Sequence, residues 1–208
     1  MKITKELSQK VLDVVDKGLC FGLGDPIPGQ MCVEAAVCFA MGEKHGDHPD
    51  CVDSDLADFK ISLNDKDDWE TDKKRANGLR ELAIAQLGTS SNFDYREFSD
   101  RLKHKLLFEK FCENLLKNHH LHKYLVEELK KAKWNEIDSI LDEWNNYLEN
   151  QYGIIDDYFS LYIETLFDIN QLKKIAKASV EVLVDMKTPG SKYLYLTDTK
   201  KAKGKKKK

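Results

Sequence analysis

What this sequence lacks narrows it first. No stretch approaches the roughly 18 consecutive apolar residues that a membrane span requires. Met1-Lys2-Ile3-Thr4-Lys5-Glu6-Leu7 opens an amphipathic pattern where a secretion signal would place an apolar run. There is no glycine-rich phosphate loop, no Cys-x-x-Cys pair, and almost no period-two alternation of apolar residues. Only four prolines punctuate 208 residues. Five cysteines, an odd number, with no secretion signal predict reduced thiols and a cytoplasmic protein.

Charge is plentiful but unevenly placed. The net charge is −3, yet Lys200, Lys201, Lys203, Lys205, Lys206, Lys207 and Lys208 form a run without a single acid. Setting those seven aside leaves 26 basic against 36 acidic residues, a formal −10. An acidic body is a poor general binder of phosphate chains, so nucleic acid is expected only through the lysine tail, which supplies charge without base readout. By composition the tail reads as disordered.

Apolar spacing predicts helices nearly throughout, hence an all-α class. A helix over 5–17 follows Thr4 as N-cap, and Gly18 stops it. Gly18 to Gly29 holds four glycines and two prolines, which is loop chemistry. Met31 to Met41 is apolar on every side except Glu34 and reads as a helix buried all round, ended by Gly42. A second loop, residues 43–53, carries His45, Asp47, His48, Pro49 and Cys51. Leu56, Phe59 and Leu63 mark another helix, and Thr71 caps one running through Leu79, Leu82 and Gln86 to Gly88. Asp94-Tyr95-Arg96-Glu97 has the form of a capping box before a helix running from Phe98 to Leu115, and later helices follow Leu121 to Leu129, Ile137 to Leu148, and Ile155 to Leu183. Lys192 to Thr197 alternates weakly and is expected to be one short extended segment. The texture changes at Gly88–Asn92. The expected organisation is therefore a compact helical module over 1–90, a helical bundle over 91–190, and an extended segment with the lysine tail over 191–208.

The wording GLGDPIPGQMCVEAAVCFAMGEKHGDHPDCV, then FKISLND, then RANGLRELAIAQLG, resembles a family of uncharacterised bacterial and phage proteins. The residues that carry it are Gly29, Cys32, Glu34, Ala35, Gly42, His45, Asp47, Pro49, Cys51, Asn64 and Asp65. It covers about a third of the chain and implies a common module; it brings no activity with it.

The stretch from Gly18 to Val52 is thus the expected functional centre. In one reading Cys32 lies in the first turn of a buried helix, where helix N–H groups lower a thiol's pKa. It would then serve a hydrolase or transferase as nucleophile, with His45 or His48 as base and Gln30 aiding an oxyanion. That segment is also loosely similar to the nucleophile helix of papain-like and C39-like peptidases, although no histidine follows on a strand. A zinc reading draws on Cys20, Cys32, Cys38, Cys51, His45 and His48, of which Cys51 with His45 and His48 is the best subset, one ligand short. Glu34, alone among Val33, Ala35, Ala36, Val37 and Phe39, must be paired or protonated; Arg75 and Arg80 are the expected partners of a buried ion pair. With no complete catalytic or metal set, the leading expectation is an interaction module that binds another protein or a second copy of itself, with no cofactor.

Overall fold

The computed structural model describes residues 2–102, 104–106, 122–152 and 169–198. Among these the architecture is all-α, without a single β-strand; extended pairing is limited to one isolated bridge between Gly24 and Met31. The lysine tail, the first half of the expected 155–183 helix and the latter part of the expected helix running to Leu115 lie outside the described residues.

Each early helix begins on a side-chain cap that the sequence advertises. Thr4 Oγ1 accepts from Leu7 N at 3.2 Å and starts α1, Lys5–Val15, which buries Val11, Leu12, Val14 and Val15. Helix α2, Val33–Met41, is buried from Val33 through Cys38 and ends on left-handed Gly42; Phe39 is the departure from all-round burial. Asp53 caps α3, Ser54–Asn64, through Leu56 N at 3.1 Å. Thr71 caps α4, Asp72–Ala85, through Lys74 N at 3.2 Å. These oxygens satisfy N–H groups that have no partner inside the helix, each contributing about 1 kcal/mol. Before α4, Trp69 is fully buried in a 3-10 turn and donates its indole N–H to Leu63 O at 2.8 Å. Its ring lies against Gly78, where a side chain would collide with it.

The chain forms two compact units, and their limits differ from the expected ones: Met1–Phe98 joins with Phe167–Lys208 in one, and Ser99–Leu166 makes the other. The last long helix, α7 (Ile169–Asp185), belongs with the N-terminal module and packs on α4. It buries Leu172, Ala176, Val180 and Leu183, one apolar stripe at helical spacing. The segment after it is tied down by Thr188 Oγ1 to Ala85 O at 2.6 Å, Gly190 N to Leu87 O at 2.8 Å and Tyr193 OH to Ile3 O at 3.1 Å. The composition shift at Gly88–Asn92 marks a turn with two left-handed residues, Gly88 and Asn92, and no domain boundary.

Ser191–Thr197 is a 3-10 helix, which corrects the expected extended segment. No strand lies beside it among the described residues to take up its backbone groups. Its most exposed residues, Lys192 and Tyr195, recur every third position, as a three-residue turn requires.

The second unit contains α5, His122–Leu129, and α6, Ile137–Tyr152, joined through a 3-10 turn at Trp134–Glu136. Leu125, Val126 and Leu129 are buried there, and Trp144 Nε1 donates to Glu128 Oε2 at 2.8 Å.

Candidate functional site

The stretch between α1 and α2 is an ordered hairpin-like loop. Cys20 N donates to Met31 O at 2.9 Å, Cys32 N to Leu23 O at 3.2 Å, Asp25 N to Gln30 O at 2.8 Å, and Gln30 N to Ile27 O at 2.8 Å. Gly24 takes a left-handed φ of 70°, and a side chain there would strike Cys20 Sγ at 2.5 Å and the Gln30 carbonyl. Only glycine meets both conditions.

Distant residues hold the loop from outside. Asp65 Oδ1 accepts from Gly22 N at 2.9 Å, and His45 Nε2 lies 2.8 Å from Gly24 O. Asn64 donates from Nδ2 to Cys20 O at 2.9 Å and accepts at Oδ1 from Val33 N at 3.2 Å, so it links the loop to the start of α2. Beneath it, Arg75 donates to the carbonyls of Asn64 at 2.8 Å and Leu19 at 3.1 Å, and pairs with Asp72 at 2.8 Å. Side chains satisfying loop carbonyls and amides remove the freedom that a glycine-rich segment otherwise keeps.

On this fixed frame the loop turns large apolar side chains to solvent. Phe21 is 57% exposed, Ile27 51% and Leu23 40%, while Phe39 on α2 is 42% exposed. Their neighbours in sequence, Leu19, Met31, Cys32 and Val33, are essentially inaccessible. The surroundings are acidic: Asp65 and Asp72 lie close enough to help hold the Cys20 thiol up, behind the larger effect of burial.

Cys32 itself is the N-cap of α2, one residue before the first turn where it was expected, and its Sγ accepts from Ala35 N at 3.3 Å. The lowered pKa expected there is overturned: burial outweighs the helix N–H groups and pushes the thiol up to about 11. Burial likewise takes Cys38 to about 12 and Cys51 to about 11. The expected catalytic partners are engaged elsewhere. His48 is exposed and holds Asp47 at 2.8 Å through Nδ1 and Asp58 at 3.0 Å through Nε2; His45 serves the Gly24 carbonyl. Gln30 contributes backbone bonds at the loop tip, to Ile27 and Asp25. Of the weak zinc candidates, Cys51 points its thiol at Met41 Sδ, 3.3 Å away. Among the described residues no group of three or more His, Cys, Asp and Glu side chains is disposed to hold a metal.

The expected Glu34–Arg75–Arg80 lock is also corrected. Glu34 is fully buried and pairs with Lys60, Nζ to Oε1 at 2.8 Å, while Gln86 Nε2 donates to Oε2 at 2.9 Å. Arg80 binds Asp16 at 2.6 and 3.0 Å and Thr197 O at 2.9 Å. The two arginines are out of reach for a simple reason. Gln86 and Arg75 lie eleven residues apart on α4, about 16 Å along the axis, and Glu34 sits at the Gln86 end. Lys60 carried a readable signal all the same: with Leu56, Leu63 and Asn64 it falls on one face of α3, at i, i+4, i+7 and i+8, and that is the buried face.

Comparison with family models, with curated proteins and with solved structures returned no match.

Proposed function

We propose that the chain is an interaction module that docks a protein, either another chain or a second copy of its own, through the loop bearing Phe21, Leu23 and Ile27. The observation that supports this is the pairing of rigidity with apolar exposure. A loop that displays large apolar groups without purpose would fold them inward or stay flexible; this one is pinned by Asn64, Asp65, His45 and Arg75 while its apolar side chains stand in solvent. Preorganisation of this kind lowers the ordering cost of binding. Each of these side chains is already about half covered, so burying the rest on a partner contributes about 1 kcal/mol.

The test begins with sedimentation equilibrium of the whole chain, followed by in-cell crosslinking of wild type against Phe21→Ser with Ile27→Ser. The reading expects either self-association or a specific crosslinked partner, lost in the double variant while thermal stability is retained. A monomer whose crosslinked partners are the same in both proteins would overturn it.

A further inference from the structure

Residues 43–53 run from the end of α2 to the start of α3, and His48 fastens their middle back onto α3. Its exposed ring is bonded at both nitrogens: Nδ1 stands 2.8 Å from Asp47 Oδ1, and Nε2 3.0 Å from Asp58 Oδ1. Asp47 is its neighbour in sequence, whereas Asp58 lies in the second turn of α3. Among the described residues no other hydrogen bond joins residues 44–50 to α3. The rest of the loop is held differently. Glu43 Oε2 accepts from Asp50 N at 3.3 Å, the Cys51 carbonyl accepts from Gly88 N at 2.9 Å, and His45 Nε2 donates to Gly24 O at 2.8 Å.

Both partners of His48 are carboxylates, which only accept. Each ring nitrogen must therefore donate, and only the imidazolium carries a proton on both. A neutral ring satisfies one carboxylate and turns a lone pair toward the other at hydrogen-bond distance. We propose that His48 is a protonation-dependent strap: as imidazolium it closes the loop 43–53 onto α3, and as neutral imidazole it lets go of Asp58. Asp47 keeps the remaining N–H, because it is adjacent in the chain and that bond requires no ordering of the rest of the loop.

The direction follows from the groups around the ring. The bond to Asp47 is the largest influence and raises the pKa; burial works against it, and the bond to Asp58 and both carboxylate charges add to the rise. The strap is therefore complete in weakly acidic solution and opens as pH rises through a value above 6.5. Deeper in the module, Glu34 of α2 feels the His48 charge and is paired with Lys60 of α3. Tyr95, near Asp53, Asp55 and Asp58, is held up by burial and stays neutral over this range. Because His45 lies on the strapped loop and holds Gly24 O, opening also loosens the loop that bears Phe21, Leu23 and Ile27. That last consequence, weaker docking at the alkaline end, rests on the docking reading above.

Amide hydrogen exchange of the full chain, read by NMR as protection factors from about pH 5 to pH 9 beside the His48 ring titration, tests the strap. Protection at Asp50 and Val52 is expected to fall about two- to fivefold as His48 deprotonates, the effect of losing one exposed ion pair. Asp25, whose N–H is bonded to Gln30 O beside Gly24, should fall with them. In Asp58→Asn and in His48→Gln, both at exposed positions, the step should vanish and the amides should stay at the alkaline level. Constant protection in the wild type, or a step that survives in either variant, overturns the strap; a surviving step would belong to His45 or Glu34. A step at Asp50 with none at Asp25 overturns the link to the docking loop. No partner takes part in these measurements, so the strap stands or falls separately from the docking reading, which the Phe21→Ser, Ile27→Ser comparison tests.

Discussion

Gly78 occupies the middle of α4, a position where glycine is ordinarily a liability. Replacing it with alanine in an unobstructed helix would stabilise the protein by about 1 kcal/mol. Here the opposite is expected. A Cβ on residue 78 would stand 2.5 Å from Cη2 of Trp69, 3.3 Å from Cε3 and closer still to Cζ3. The indole has nowhere easy to go, because it is fully buried and its N–H is committed to Leu63 O at 2.8 Å. Overpacking of this kind costs about 1–3 kcal/mol, and a retreat that breaks the indole hydrogen bond adds about 1 kcal/mol. Against the propensity gain, Gly78→Ala should lose about 1–3 kcal/mol net. Urea unfolding followed by circular dichroism measures this, and adding Trp69→Leu to Gly78→Ala should cost less than the two single changes summed, since the smaller side chain vacates the space. A Gly78→Ala protein more stable than wild type would refute the packing argument.

Three other outcomes follow from the buried groups and the surface histidine. Glu34→Leu alone or Lys60→Met alone strands a buried ionisable partner and should cost about 3–5 kcal/mol, whereas the double change should come close to wild type; additive losses in urea unfolding would contradict the pairing. The thiols of Cys32, Cys38 and Cys51 lie above their ordinary value because the folded state shields them, so the stability they contribute is complete below about pH 9 and is lost as pH rises through 11 to 12. For Cys32 and Cys51 the rise corresponds to about 3 kcal/mol each, and alkylation of the folded chain near pH 7 should reach Cys20 before Cys32; rapid modification of Cys32 there would revive the nucleophile reading. His48, held up by its bond to Asp47 and then by that to Asp58, should titrate by NMR above a free histidine and move down in Asp58→Asn; an unmoved titration would show that the second contact is not made in solution.

Much of the fold was legible because it is written in local chemistry. Thr4, Thr71 and Asp94 each cap the helix that their position announces, and the stripe Leu172, Ala176, Val180, Leu183 gives the buried face of α7 directly. What was not legible is pairing across the chain. Glu34 demanded a partner, but periodicity places a residue on a face and says nothing of which end of a neighbouring helix it meets. Arg75 and Arg80 were expected because they lie on the helix that closes the module; height along α4 sets Gln86 beside Glu34, and α3 supplies Lys60. The unit limits differ from the expected ones for a related reason: a turn at Gly88 looks the same whether the chain leaves the module for good or returns to it through α7. Whether Cys32 is a reactive thiolate or a small buried hydrophobe was not legible, because the balance between a helix terminus and desolvation depends on burial depth, which is a property of the assembled core.

The most direct test of the docking account is the paired comparison of wild type with the Phe21→Ser, Ile27→Ser double variant, by sedimentation equilibrium and by in-cell crosslinking at equal expression. Both positions are exposed, so unfolding free energy should change by less than about 0.5 kcal/mol. The account predicts that a dimer or a specific crosslinked partner of the wild type disappears in the variant while stability is unchanged. Retention of the same complex by the variant, or its absence from both proteins, would contradict it.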